Sequence, residues 1–210
     1  MTGGRGTIVV LNGVPRSGKS SIASVLQASS DGLWLNFGVD ALAGVIPPAL
    51  RPGIGLRPGG ERPDLEDSVV VLYDALYAAV VAWSGAGINV VVDVGHHDDY
   101  SKPLGVLRRV ALLLAGRPAY LVGVHCPVEV IMARRDADPA GAQGGYVTSE
   151  AGGGVPEIVH RWERAVHDPG VYDLEVDTAT ASPEDCAAAI ERRVAEGRPV
   201  AFGSLAAGVR

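Results

Sequence analysis

Thr7-Ile8-Val9-Val10-Leu11-Asn12-Gly13-Val14-Pro15-Arg16-Ser17-Gly18-Lys19-Ser20-Ser21-Ile22 is the stretch on which the reading of this chain turns. Residues 13–20 fit G-x-x-x-x-G-K-[ST], a loop that wraps phosphate groups. The pattern is short, so its neighbours decide. Before it lies a β-branched apolar run that reads as a buried strand; after it, Ile22, Val25 and Leu26 fall on one helical stripe. Strand, glycine loop and helix follow in the order the motif needs. Gly13 and Gly18 let the backbone curl so that successive N–H groups point inward, and the helix adds its positive N-terminal end. The span Gly13, Val14, Pro15, Arg16, Ser17, Gly18, Lys19, Ser20 and Ser21 is therefore expected to hold a nucleoside triphosphate. Lys19 would neutralise the β- and γ-phosphates, and the Ser20 hydroxyl would be a Mg²⁺ ligand.

Working outward, strands alternate with helices. Leu33 to Phe37 reads as a second strand, Ile88 to Asp93 as a third, Ala119 to Val124 as a fourth and Leu174 to Asp177 as a fifth. Helices are expected over Asp64 to Ser84, Leu104 to Leu114, Pro127 to Arg135 and Val155 to Val166, with a last one opening at Ser182-Pro183-Glu184. Such alternation implies a parallel sheet covered on both faces. Prolines 47, 48, 52, 58 and 63, interleaved with glycines, argue against regular structure up to about residue 64. The glycine-rich segment from Ala137 to Gly154 sits where small-molecule kinases carry a lid. Residues after Arg198 read as a frayed tail.

Bulk composition narrows the partners. A chain of 210 residues suits one α/β domain, and its formal net charge of −6 argues against a nucleic-acid partner. Cys126 and Cys186 are far apart, which suits a reducing cytoplasm better than a disulfide framework. No apolar run approaches the roughly 20 residues of a membrane span, so none is expected. Oligomeric state is not legible, and a homo-oligomer is allowed.

Acidic residues at strand ends should carry the chemistry, because ligands of parallel sheets sit beyond the carboxyl ends of the strands. Asp93 closes a Walker-B-like run and could hold Mg²⁺, directly or through water. Asp40 follows the second strand and could align an acceptor hydroxyl and take its proton, or could simply cap the next helix. Arg134, Arg135, Arg161 and Arg164 flank the glycine-rich segment, and at least one is expected to reach the triphosphate. We assign Arg134 to nucleotide binding and Arg135, with Lys19, to catalysis, leaving Asp40 open between its two roles. His96-His97-Asp98-Asp99 invites a metal, but adjacent histidines rarely reach one ion, so the loop reads as acceptor-pocket lining or a solvated turn. His125 and Cys126 read as strand-end packing.

With these pieces in order, the chain resembles the chloramphenicol phosphotransferase family of P-loop kinases over about residues 7–196. Ile8 to Gly13 running into Ser17 to Ser20, Trp34 to Asp40, and Val166-His167 followed by Tyr172 to Thr178 carry the likeness. The resemblance implies a three-layer P-loop kinase fold with a five-stranded parallel sheet in the order 2-3-1-4-5. It also implies ATP and Mg²⁺ as cofactors, a small-molecule hydroxyl as acceptor, and Asp40 as the catalytic base. One kinase domain is then expected over 1–198, with a lid at about 136–156, an acceptor-binding region at about 41–67 and a tail at 199–210. The chain departs from the family where an R-G-D-R pattern is usual, having Asp136-Ala137-Asp138-Pro139-Ala140-Gly141 instead. Gly44 to Asp67 and His96 to Tyr100 do not match.

Three functions fit these readings. The first is a cytoplasmic O-phosphotransferase acting on an antibiotic; the second, a metabolic kinase for a nucleoside, sugar acid or cofactor precursor; the third, a nucleotide-dependent switch. An anionic acceptor would use Arg51, Arg57 and Arg62. A neutral one would use Val45, Ile46, Leu50, Ile54 and Leu56, the more continuous set, so a largely uncharged acceptor is expected.

Overall fold

A computed structural model describes residues 4–29, 31–137, 147–149 and 154–208. Its strands are β1 (Ile8–Asn12), β2 (Trp34–Asn36), β3 (Asn89–Val94), β4 (Ala119–His125) and β5 (Leu174–Asp177). They form one five-stranded sheet in the order β2-β3-β1-β4-β5, all pairs parallel, as the resemblance implies. The helices are α1 (Lys19–Ser29), α2 (Val39–Ala43), α3 (Glu66–Gly85), α4 (Val106–Leu114), α5 (Val128–Asp136), α6 (Glu157–Val166), α7 (Pro183–Glu196) and α8 (Ala201–Ala207).

Alternation along the strands builds two core layers. Ile8, Val10, Val90, Val92 and Leu121 point to the face covered by α3, α4 and α8. Val9, Leu11, Val91, Val122 and Val124 point to the face covered by α1 and α7. Because both faces are covered, the central strands read as continuous apolar runs. The polar ends of β1 and β3 stand out against this, and that is where the site lies.

Three expectations need correction. Residues beyond 198 are not frayed: α8 buries Ala201, Phe202 and Leu205 in the core. The cause lies far upstream, where the fully buried Asp173 carboxylate accepts from Val200 N (2.7 Å) and Ala201 N (3.1 Å) and so caps the helix. Second, Pro63–Gly85 is long and apolar enough, by composition, to cross a membrane. Its Val69, Tyr73, Leu76, Tyr77 and Val80 are instead packed in the core under the sheet. Third, the proline-rich region is partly ordered, with 3-10 turns at Pro48–Leu50, Gly53–Gly55 and Pro63–Leu65. Most of the segment read as a lid, residues 138–146 and 150–153, lies outside the described residues.

Candidate active site

The loop between β1 and α1 curls as its glycines require. Gly18 has φ +99°, in the region that side chains disfavour, and a side chain there would stand 3.0 Å from Thr178 Cγ2. Arg16 also has a positive φ of 75°. Lys19, at the start of α1, turns back so that Nζ donates to the Val14 carbonyl at 2.8 Å and lies 3.5 Å from Asp93 Oδ1. An ammonium has three N–H donors, so one remains for a phosphate oxygen. The other Asp93 oxygen, Oδ2, accepts from Ser20 Oγ at 2.7 Å. A hydroxyl and a carboxylate thus meet beside the buried lysine. This all-oxygen pair suits a hard cation such as Mg²⁺.

Asp40 is carried to the same place by the end of β2. Gly38 makes this possible: a side chain there would stand 2.1 Å from the Asp93 carbonyl oxygen, so only glycine lets the two strand ends meet. Two residues on, Asp40 lies in the first turn of α2, half-buried. Its carboxylate has no hydrogen-bond or ion-pair partner among the described residues. One cavity of about 1600 Å³ is lined by Gly13, Lys19, Ser20, Asp40, Asp93 and Arg135 among others, including Pro15, Arg16, Gly18, Ser21 and Arg134. Asp40 therefore shares its opening with the glycine loop.

Two loop residues face elsewhere. Val14 packs with Cys126, Ile131 and Val166, and offers the site its carbonyl alone; Ser17 is fully buried. Arg134 is a brace: its guanidinium donates to the Arg16 carbonyl (3.2 Å), Thr178 Oγ1 (3.1 Å) and the Thr178 carbonyl (2.8 Å). Arg135 is buried beneath the loop, donating to the Pro15 carbonyl at 3.3 Å and lining the cavity. Arg161 is spent on Asp99, at 2.6 Å, and Arg164 on Glu157, at 2.8 Å. The Arg161 pair holds the Asp99 carboxyl below its usual range.

Sequence reasoning missed two supports. Thr178 Oγ1 donates to the Ser17 carbonyl at 2.6 Å, tying the loop after β5 to the glycine loop. Asn12 closes β1: its Nδ2 donates to the Val166 carbonyl (2.8 Å) and its Oδ1 accepts from His96 N (2.7 Å). A polar residue ending a wholly apolar strand was the available signal.

On the acceptor side, Ile54 and Leu56 line the cavity from their places in the core, whereas Ile46 is buried without lining it and Val45 points outward, so the apolar set is not a continuous lining. Arg51, Arg57 and Arg62 line the cavity as well, with Arg57 near Glu61 (3.8 Å) and Arg62 on Asp64 (2.8 Å). Arg51 has no such partner among the described residues. Nor is the histidine loop a solvated turn. His96 is buried, sharing a 2.7 Å hydrogen bond between Nε2 and the Tyr77 hydroxyl, and His97 Nε2 lies 2.9 Å from the Leu56 carbonyl. Burial lowers both histidines, His96 to about 3, so both are neutral at pH 7.

Comparison with known proteins agrees with this geometry. Residues 6–195 match the family described as chloramphenicol phosphotransferase-like protein. A Mycobacterium tuberculosis protein provisionally named an O-phosphotransferase is 27% identical over 192 residues, covering 85% of this chain and 77% of the relative. The M. tuberculosis APS kinase, solved with AMPPNP and APS, superposes with a TM-score of 0.59 at 18% identity, covering 91% of this chain and 99% of that one. Shikimate kinase from Acinetobacter baumannii, solved with shikimate, gives 0.58 at 14% identity, covering 91% and 94%. At such identities these two structures speak for the fold, and the family match over nearly the whole chain speaks for the chemistry: the chain belongs to the chloramphenicol phosphotransferase-like family and is an ATP-dependent P-loop phosphotransferase.

Proposed function

We propose that the chain transfers the γ-phosphoryl group of ATP to a hydroxyl of a small molecule, with an antibiotic as the acceptor class, and works in the cytoplasm. The observation that carries this reading is the Asp40 carboxylate, without a partner among the described residues, opening onto the cavity that holds Lys19, Ser20 and Asp93. The acceptor oxygen bonds to the γ-phosphorus as the bond from that phosphorus to the β–γ bridging oxygen breaks, and ADP leaves with the electron pair. The hydroxyl proton passes to Asp40. The transition state is loose, so alignment of the hydroxyl counts for more than the strength of the base. Amides of Gly18 to Ser21, in the loop braced by Arg134, hold the phosphates. Lys19 and Arg135 offset the negative charge as it spreads. Ser20 and Asp93 would hold Mg²⁺, which supplies further charge neutralisation when bound.

A second acceptor class, anionic metabolites, is favoured by one observation: Arg51 lines the cavity without an acidic partner among the described residues. Incubating the protein with ATP and a panel of hydroxyl-bearing antibiotics, nucleosides and sugar acids, then weighing the products for one added phosphate, separates the two. Asp40→Asn should lower turnover of the accepted compound roughly 10²–10⁴-fold while ATP binding, read by calorimetry, stays near the parent value. An Asp40→Asn protein that phosphorylates its acceptor at the parent rate refutes the role. ATP hydrolysis with no phosphorylated product from any compound would favour a nucleotide switch.

A further inference from the structure

The geometry points to a transition-metal site, of the zinc class, formed by His125, Glu163 and His167 at the junction of β4 and α6. His125 is the last residue of β4, Glu163 lies on α6, and His167 follows that helix directly. One donor atom from each lies within 4.8 Å of the other two. Donors around a tetrahedral zinc, with bonds of about 2.0–2.1 Å, stand ~3.3 Å apart, so closure asks for at most ~1.5 Å of side-chain movement. Two imidazoles and a carboxylate are a donor set that zinc and cobalt accept and that Mg²⁺ does not favour.

Outer partners already orient both rings. His125 Nε2 lies 2.8 Å from Glu175 Oε2, and His167 Nδ1 lies 2.8 Å from the Tyr172 hydroxyl. Carboxylate and hydroxyl partners of this kind fix the tautomer of metal-bound histidines. They leave His125 Nδ1 and His167 Nε2 with no other partner among the described residues. The rings are stacked with centroids 4.0 Å apart and planes 21° from parallel. Glu163 makes no hydrogen bond or ion pair among the described residues, although two histidines lie beside it. Three donors that converge without bonding one another are what an ion would draw together. A cavity of about 380 Å³ opens against His125, His160, Glu163 and Asp177. It gives an ion access and supplies a fourth ligand, from water or from His160 one turn before Glu163 on the same helix.

An ion here would clamp α6 to the end of β4. The same helix end holds Asn12 through the Val166 carbonyl, and Asn12 is the residue from which the glycine loop springs. The clamp is therefore structural, raising stability by mass action.

The test uses the full chain without an affinity tag, stripped with a chelator and titrated with Co²⁺ and then Zn²⁺ in the absence of nucleotide. We expect one equivalent of Co²⁺ with the strong visible bands of a four-coordinate nitrogen–oxygen site, displaced by Zn²⁺, and a higher melting midpoint with Zn²⁺. His125→Ala, His167→Ala and Glu163→Gln should each weaken binding at least about tenfold. Glu163 is half-exposed on a helix, so Glu163→Gln decides the matter should a histidine variant not fold. Absence of the bands overturns the site. So does binding that survives Glu163→Gln unchanged, or that is lost with Asp93→Asn and not with Glu163→Gln, which places the ion at the phosphate pocket.

Discussion

The two walls of the large cavity are built by different means. The nucleotide wall is backbone held by hydrogen bonds: Lys19 on the Val14 carbonyl, Arg134 on the Arg16 carbonyl, Thr178 on the Ser17 carbonyl. The acceptor wall is a run of short turns held by side chains sunk into the core. Ile46, Ile54 and Leu56 anchor it, the Tyr73 hydroxyl donates to the Ile54 carbonyl at 3.4 Å, and His97 meets the Leu56 carbonyl. A wall made of amides binds what every nucleotide shares. A wall made of side chains can be rewritten for a new acceptor while the phosphate site stays intact.

If the walls are separate, damage to one should leave the other working. Lys19→Ala tests this with a large effect on the nucleotide wall: kcat/KM should fall on the order of 10²–10³-fold and ATP affinity should weaken. Acceptor affinity, measured by calorimetry without nucleotide, should stay within about twofold of the parent. An equal loss of acceptor affinity would show one coupled wall.

Arg134→Ala should act more gently and on one side alone. It removes charge-assisted bonds worth about 1.5–3 kcal/mol each in favourable cases, part of which water replaces, so we expect KM for ATP to rise about tenfold with a smaller change in kcat. Arg134→Lys should rescue little, because one guanidinium nitrogen serves Arg16 and Thr178 Oγ1 while another serves the Thr178 carbonyl, and an ammonium cannot span that fork. A kcat that collapses while KM holds would instead make Arg134 a participant in the transition state.

The contrast between the walls is also a contrast in legibility. A glycine loop between a strand and a helix is local, so residues 13–20 carried their own explanation, and alternating apolar runs were enough for a parallel sheet, while its strand order came only from the family resemblance. What stayed hidden depends on partners far along the chain. Nothing near Arg134 announces that its targets include Thr178, 44 residues on. The order of α8 is set by Asp173, 27 residues before it. The histidine loop was misread because adjacent polar residues usually face water. Here Tyr73 and Tyr77, one turn apart on α3, make a pocket for the His96 ring, whose centroid lies 4.6 Å from that of Tyr73. In the acceptor region the apolar residues were visible, but not that only Ile54 and Leu56 would face the cavity while Ile46 went to the core and Val45 to the surface.

The smallest effect follows from that pocket. His96 is held neutral with a pKa of about 3, chiefly by burial and further by His97, whereas in the unfolded chain it titrates near 6.5. Above about pH 7.5 neither state carries its proton and the residue adds no pH dependence. Between about 6.5 and 3 the unfolded chain takes up a proton that the folded chain refuses, so stability falls as the pH falls, by at most ~1.4 kcal/mol per pH unit for this residue. His97 is depressed in the same direction, its burial outweighing the pull of Asp98 and Asp99, and adds to the slope. Both rings support the acceptor wall, so acid should loosen that wall first, as faster amide exchange over residues 53–59 than over 13–20 when the pH is lowered from 7 to 5. His96→Gln keeps a group able to bond the Tyr77 hydroxyl but does not titrate. Its urea stability should therefore fall less steeply between pH 6.5 and 4 than that of the parent. An unchanged slope would mean that His96 takes up its proton in the folded protein, and that the acceptor wall rests on something other than two uncharged rings.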